Sequence, residues 1–217
     1  MLIAENIHKG YKREPVLRGV SFSMRPATIL GICGSNGAGK TTLIHILASI
    51  LPADSGQITL MGVPVSQARR YRAMIGFVPQ HIALAANLTV RQNLVFWASL
   101  RGLNGQPLKT AVDAAAEMAN VTAFLNKPLG RCSGGMAKRA NLAAGLVGFP
   151  GLILLDEPTA GIDEENRDLI LRTLTDLRRQ GCMVLMVNHY LQEMAQVCDR
   201  IITLRDGVIA EADAHDR

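Results

Sequence analysis

The stretch Gly34-Ser-Asn-Gly-Ala-Gly-Lys40-Thr41 has the pattern Gly-x-x-x-x-Gly-Lys-Thr, three glycines followed by a cation and a hydroxyl. Glycines let a backbone wrap closely around a small anion and aim its N–H groups inward. A helix starting at the end of such a loop adds the positive end of its dipole, and together they grip phosphate. Lys40 is placed to reach the β- and γ-phosphates of a nucleoside triphosphate, and the Thr41 hydroxyl to coordinate Mg2+. The expected binding set is Gly34, Ser35, Asn36, Gly37, Ala38, Gly39, Lys40, Thr41 and Thr42.

Leu152-Ile-Leu-Leu-Asp156-Glu157 is an apolar run whose first polar residues come at its C-terminal end, where parallel sheets present their ligands. Asp156 can hold Mg2+ through water, and Glu157 can orient and polarise an attacking water. Without a phosphate loop, the same pair reads equally well as caps before Pro158. Ser133, Gly134 and Gly135 open a helical pattern that carries Met136, Ala140, Ala143 and Val147 along one face. A helix start without side-chain bulk is a second place where phosphate can approach.

These residues need a scaffold, and the periodicity supplies one. Val20, Phe22 and Met24 alternate with polar residues, which predicts a half-buried strand, while Ile29 to Cys33 reads as a fully buried one. After the glycine loop, Leu43, Ile44, Leu47, Ile50 and Leu51 recur at helical spacing until Pro52 and Gly56. Strands are expected at Gln57 to Met61, Ile75 to Val78, Leu152 to Leu155 and Met183 to Val187. A helix from about Glu164 to Gln180 stops at Gly181, and a hairpin turn falls at Asp206-Gly207. From about Ile82 to Gly148 the β-branched runs thin out and Ala-rich helical patterns such as Thr110 to Ala119 and Asn141 to Val147 take over. The expected fold is therefore a mixed α/β core interrupted by one helical insertion.

Over essentially its whole length the sequence resembles the ATP-binding-cassette (ABC) ATPases. Tyr11 resembles the aromatic that stacks on adenine, and Gln80 in Phe77-Val-Pro-Gln80 the glutamine linking the Mg2+ site to the helical subdomain. Cys132-Ser-Gly-Gly-Met136 resembles the signature, with Cys132 and Met136 departing from the usual Leu-Ser-Gly-Gly-Gln. Ala160-Gly-Ile-Asp163 resembles the loop between opposed subunits, and His189 the γ-phosphate histidine. The resemblance implies a P-loop NTPase core with a mixed sheet, an N-terminal antiparallel β subdomain and an inserted helical subdomain. Residues 1–81 and 149–217 would form the nucleotide-binding core, and 82–148 the insertion. It implies Mg-ATP hydrolysis with Glu157, His189 and Gln80 catalytic. Tyr11, Ser133, Gly134, Gly135 and Asp163 would join the ATP-binding set, and Thr41, Gln80 and Asp156 would hold the metal. It further implies two cassettes sandwiched head to tail around two nucleotides, so that one chain cannot complete a site, and a separate membrane permease as partner. Leu88-Thr-Val-Arg-Gln-Asn-Leu94, Phe96-Trp97 and the Ser-Gly-Gly-Met ending look like type-2 exporters. The alternative is a soluble ABC-type ATPase acting on nucleic acid or ribosomes. The long heptads of the chromosome type and the tandem cassette of the ribosomal type are not found, so no direct nucleic-acid contact is expected. A P-loop kinase has no use for Ser133-Gly-Gly or His189.

Composition sets outer bounds. Apolar residues make up 48% and charged residues 19%, with no low-complexity tract. Apolar runs such as Val147 to Leu155 and Cys182 to Val187 fall short of the ~20 residues that span a bilayer. Met1 to Lys9 shows no export signal, so the expected place is the cytoplasm, peripheral on the membrane through the permease. The net charge of +5 does not choose between nucleic acid, membrane and phosphate ligands, and Arg69, Arg70 and Arg72 around Tyr71 read as a solvated patch. His8, His45, His81 and His215 read as core or surface residues. Cys33, Cys132, Cys182 and Cys198 lack metal or disulfide spacing and read as buried thiols. A sharper reading of Cys132 makes it an accessible thiol of lowered pKa beside a helix start, covered when ATP closes the dimer.

Overall fold

The computed structural model describes residues 1–12 and 14–213; His215 lies outside them. Two sheets share the work of positioning the site. The first has the order β2-β1-β4-β5, built from β1 (Leu2–Tyr11), β2 (Glu14–Met24), β4 (Ser55–Leu60) and β5 (Val63–Pro64), all antiparallel. The second has the order β10-β9-β3-β8-β7-β6, from β3 (Ile29–Cys33), β6 (Ile75–Val78), β7 (Leu152–Asp156), β8 (Met183–Val187), β9 (Arg200–Arg205) and β10 (Val208–Asp213). It is parallel except where β10 returns antiparallel on β9 through the Asp206-Gly207 turn, both of whose residues have positive φ.

The unbroken apolar runs of β3, β7 and β8 follow from burial on both faces. Alternate residues feed two cores. Ile153, Leu155, Val184 and Met186 face the helices α3 (Val90–Leu100), α4 (Gly105–Met118), α5 (Gly134–Leu146) and α6 (Glu164–Arg179). Leu152, Leu154, Leu185 and Val187 face the first sheet and α1 (Lys40–Leu47). Two short helices, α2 (Ala68–Ala73) and α7 (Leu191–Val197), complete the chain.

Several expectations need correction. The helix after the glycine loop ends at Leu47, because Ser49 takes a left-handed turn at φ 57°; Ile50 and Leu51 lie beyond it and Ile50 is 58% exposed. β1 is a strand that no expectation covered; it carries no clean alternation, since a bulge at Asn6 (φ 50°) shifts its register between Ala4 and Ile7. The arginine patch is more than solvated surface: Arg72 donates to the Ser49 carbonyl at 2.7 Å, beside the end of α1, and the buried Tyr71 hydroxyl donates to Leu47 O.

Helix α5 sits unusually close to β6. A methyl group on Gly76 would strike the Gly145 carbonyl, and one on Gly145 would strike Val78, so two facing glycines let backbone meet backbone there. The loop that leaves β6 at Pro79 is thereby brought under α5.

Candidate functional site

The glycine loop runs from the C-terminal end of β3 into α1, whose N-cap Gly39 has φ 101° and provides no capping side chain. The first-turn N–H groups therefore remain free for an anion. Lys40, only 7% exposed, folds back so that its ammonium donates to Gly34 O at 2.8 Å and Ser35 O at 2.9 Å, stitching the loop from beneath. A cleft of about 720 Å³ opens over this loop, lined by Gly34, Ser35, Asn36, Gly37, Gly39, Lys40, Thr41 and Thr42, with Val16, Gln80, Glu157 and His189 on its walls. Ala38 is buried and braces the loop through its N–H to Ser35 O at 3.2 Å.

Glu157 is the centre of the polar wall. It directly follows β7, with a backbone φ of 47°, a left-handed conformation that costs a non-glycine residue of order 1 kcal/mol or more. Its N–H donates to Val187 O at 2.9 Å and so ties it to the end of β8. Its carboxylate accepts from Gln80 Nε2 at 2.9 Å and pairs with His189 Nδ1 at 3.2 Å. Three residues chosen from separate parts of the sequence thus meet on one carboxylate.

Asp156, one residue earlier, is 3% exposed and its carboxylate makes no hydrogen bond or ion pair with any described residue. Burial pushes its carboxyl above the usual range, and the fields of His45, Lys40 and Lys138 pull the other way while Glu157 adds to the rise. Thr41 and Gln80 line the cleft and Asp156 ends β7 just before Glu157; their hydroxyl, amide oxygen and carboxylate are hard oxygen donors of the kind that suit Mg2+. No group of three or more His, Cys, Asp or Glu among the described residues could hold an ion by itself. The donor set thus fits a cation carried in on phosphate oxygens.

Other expected residues lie elsewhere. Ser133, the N-cap of α5, accepts from Met136 N at 3.3 Å; a side chain at Gly134 would meet nothing within 4 Å. Gly135 packs against Asn166, where any side chain would clash. Asp163 caps α6 by accepting from Asn166 N at 2.9 Å, and this bond holds its carboxyl below the usual range. Asn166 in turn receives Arg139 of α5 at 2.9 Å. None of Ser133, Gly134, Gly135 and Asp163 lines the cleft. Tyr11 does not line it either; its ring is exposed at the end of β1 with Lys9 Nζ 5.9 Å from its centroid. Cys132 contradicts the lowered-pKa reading: burial pushes its thiol up, outweighing the Lys127 charge, and its sulfur points to Pro128 O at 3.7 Å rather than to the helix start.

Sequence reasoning missed four contributors. Lys138 of α5 donates to Gln80 O at 2.6 Å and Glu157 O at 3.4 Å. His45 packs edge-on against Phe77 and acts on the Asp156 carboxyl. Asn188 and Glu193, both buried, build a network: Glu193 Oε2 accepts from Thr159 Oγ1 at 2.5 Å and Asn188 Nδ2 at 3.0 Å. Asn188 Oδ1 accepts from the N–H groups of His189 and Tyr190. That network fixes the turn on which His189 stands. The only sequence signal for it was two polar residues flanking His189 beside an otherwise apolar strand.

Comparison with known proteins identifies the family. The family model "ABC transporter" matches residues 17–160. The chain is 38% identical over 208 residues to the linearmycin resistance ATP-binding protein LnrL of Bacillus subtilis, covering 95% of this chain and 67% of that protein. It is 36% identical over 213 residues to the Nod factor export ATP-binding protein I of Rhizobium etli, covering 97% and 67%. A dimeric ATP-binding cassette solved in a post-hydrolysis state with ADP and Pi superposes with a TM-score of 0.88 at 25% identity, over 99% of this chain and 98% of that one. No helix among the described residues is long and apolar enough to cross a membrane. A phosphate loop facing a strained, doubly held glutamate, within this fold and these relatives, makes the chain a member of the ABC transporter family, an ATP-binding and ATP-hydrolysing subunit.

Proposed function

We propose that this subunit binds Mg-ATP in the 720 Å³ cleft, pairs head to tail with a second cassette, and drives export through a separate membrane permease at the cytoplasmic face. The observation that carries the reading is Glu157, held between Gln80 and His189 on the wall of the cleft whose floor is the glycine loop. In this reading the N–H groups from Gly34 to Thr42 and the Lys40 ammonium hold the β- and γ-phosphates. Glu157 orients the attacking water and draws its proton. His189 contacts the γ-phosphate and steadies Glu157, while Tyr11 offers its exposed ring to adenine. Thr41, Gln80 and Asp156, the last through water, would hold Mg2+, which when bound neutralises charge on the phosphates.

Ser133, Gly134, Gly135 and Asp163 do not line this cleft and serve the nucleotide of the opposing cassette. The start of α5 at Ser133 and the free space beside Gly134, where a side chain would meet nothing within 4 Å, support that role, as does the dimeric state of the structural relative. Export is supported by the relatives' names, one of resistance and one of Nod factor export. Residues 82–148 act as the arm that meets the permease: Val95, Phe96 and Leu100 on α3 are 36%, 53% and 63% exposed, an apolar face without cover in the monomer.

The test is tagged purification from membranes beside a Phe96→Asp/Leu100→Asp variant. A polytopic protein should accompany the wild-type chain in fixed ratio and be lost from the variant, with basal ATP turnover kept. Retention on nucleic acid in moderate salt, with no membrane partner, would instead establish the soluble-ATPase alternative.

A further inference from the structure

The segment 79–83 leaves β6 with no helix or strand of its own, so something else must set its path. That something is α5. Asn141, 3% exposed, donates Nδ2 to Pro79 O at 3.1 Å and accepts Ala83 N at 3.1 Å, closing the loop at both ends. One turn earlier on the same face, Lys138 donates to Gln80 O at 2.6 Å and reaches Glu157 O at 3.4 Å. Residues three apart on a helix share a face, so the two side chains move together with the helix. Gln80, clamped by its carbonyl, is the residue whose amide holds Glu157 at 2.9 Å.

We infer that Lys138 is a positioning residue for hydrolysis: it fixes the main chain of Gln80 and Glu157 to the helix whose N-terminus is Ser133-Gly134-Gly135. The inference rests on the reading of Glu157 as the water-orienting carboxylate. Its consequence is a direct mechanical link. The end of α5 that approaches the opposing nucleotide and the lysine that sets the chain's own catalytic carboxylate stand on one rigid element about one turn apart. Seating of Ser133 on a neighbour's phosphate therefore sets Glu157 in the subunit that supplies it, and a misplaced α5 leaves Glu157 out of line.

A lysine here is more than filler. A half-buried ammonium costs desolvation unless it is matched, and Lys138 is matched by two carbonyls and by the charges of Asp156 and Glu157. It does not line the cleft, so it acts through Gln80 and Glu157 and not on nucleotide.

The test is steady-state ATP hydrolysis by the full chain. Lys138→Met should lower kcat at least tenfold and leave KM for ATP within twofold. Lys138→Gln, which keeps a shorter neutral donor and folds if the apolar variant does not, should fall between it and wild type. In a Gln80→Ala background, Lys138→Met should cost less than the product of the two single losses, because both act on one carboxylate. A kcat for both Lys138 variants within twofold of wild type, a loss carried by KM, or a fully multiplicative double variant overturns the inference. Wild-type protein in the same assay separates the two levels: absence of turnover there refutes the functional reading as well, whereas turnover with any of those three results refutes Lys138 alone.

Discussion

Glu157→Gln isolates charge from shape. The amide can turn its oxygen toward Gln80 Nε2 and its NH2 toward an unprotonated His189 Nδ1, so both contacts, at 2.9 and 3.2 Å, survive. Lost charge near Lys138 is offset by relief of Asp156, whose carboxyl is raised by the Glu157 charge. Stability should therefore stay within about 1 kcal/mol, or ~2–4 °C in Tm for a chain of this size. Hydrolysis is different, since an amide cannot take the proton of water. General-base contributions of 10²–10⁴-fold correspond to about 2.7–5.5 kcal/mol. The half-buried setting, with the Glu157 side chain 16% exposed, strengthens the electrostatic share and favours the upper part of that range. The assay is phosphate release under saturating Mg-ATP, with size-exclusion chromatography alongside. The variant should lose at least 10²-fold in kcat, keep KM within about threefold, and accumulate at twice the monomer mass with ATP. Turnover within tenfold of wild type would remove Glu157 from its role, and with it the weight placed on its strained backbone.

Glu193→Ala should strand the Thr159 hydroxyl proton in a buried site and leave Asn188 Nδ2 only its bond to Thr159 Oγ1 at 3.1 Å, costing roughly 2–4 kcal/mol. That should read as a Tm drop of about 5–15 °C by calorimetry, with Glu193→Gln losing far less; equal Tm values for Ala and wild type would refute the network. Cys132 should react with maleimide at pH 7 more slowly than a free small thiol, because burial raises its pKa, and labelling as fast as the free thiol would restore the activated-thiolate reading.

What could be read from the sequence follows a physical rule. β3, β7 and β8 are legible because a strand buried on both faces must be apolar throughout, and such runs are short and sharply bounded. The phosphate loop is legible because its chemistry restricts side chains at fixed spacing. β1 is hidden by its bulge at Asn6, which breaks the alternation that would have marked it. Lys138 and Asn141 are hidden for a different reason: their partners are main-chain atoms of Pro79, Gln80, Ala83 and Glu157, and any residue at those positions offers the same carbonyl or N–H. His45 looked idle because its effect on Asp156 comes through the packing of α1, whose rotation periodicity alone does not fix.

The same distinction bears on the proposed pairing of two cassettes. The glycine loop, Gln80, Glu157 and His189 line a cleft that a single chain already possesses, and Lys40 is stitched to its loop without help. Residues at the open end of α5 have no such cleft, yet their helix holds Gln80 and Glu157 from its other side. Asp163 repeats the pattern, since its cap on α6 runs through Asn166 to Arg139 of α5. In the proposed function binding therefore belongs to the single chain, whereas the alignment of Glu157 depends on where α5 rests, and the start of α5 at Ser133 and Gly134 is exposed. If the proposed pairing seats that terminus, hydrolysis should be slow in the single chain and faster in the pair with KM for ATP little changed, and an equal kcat at protein concentrations below and above pairing would refute it.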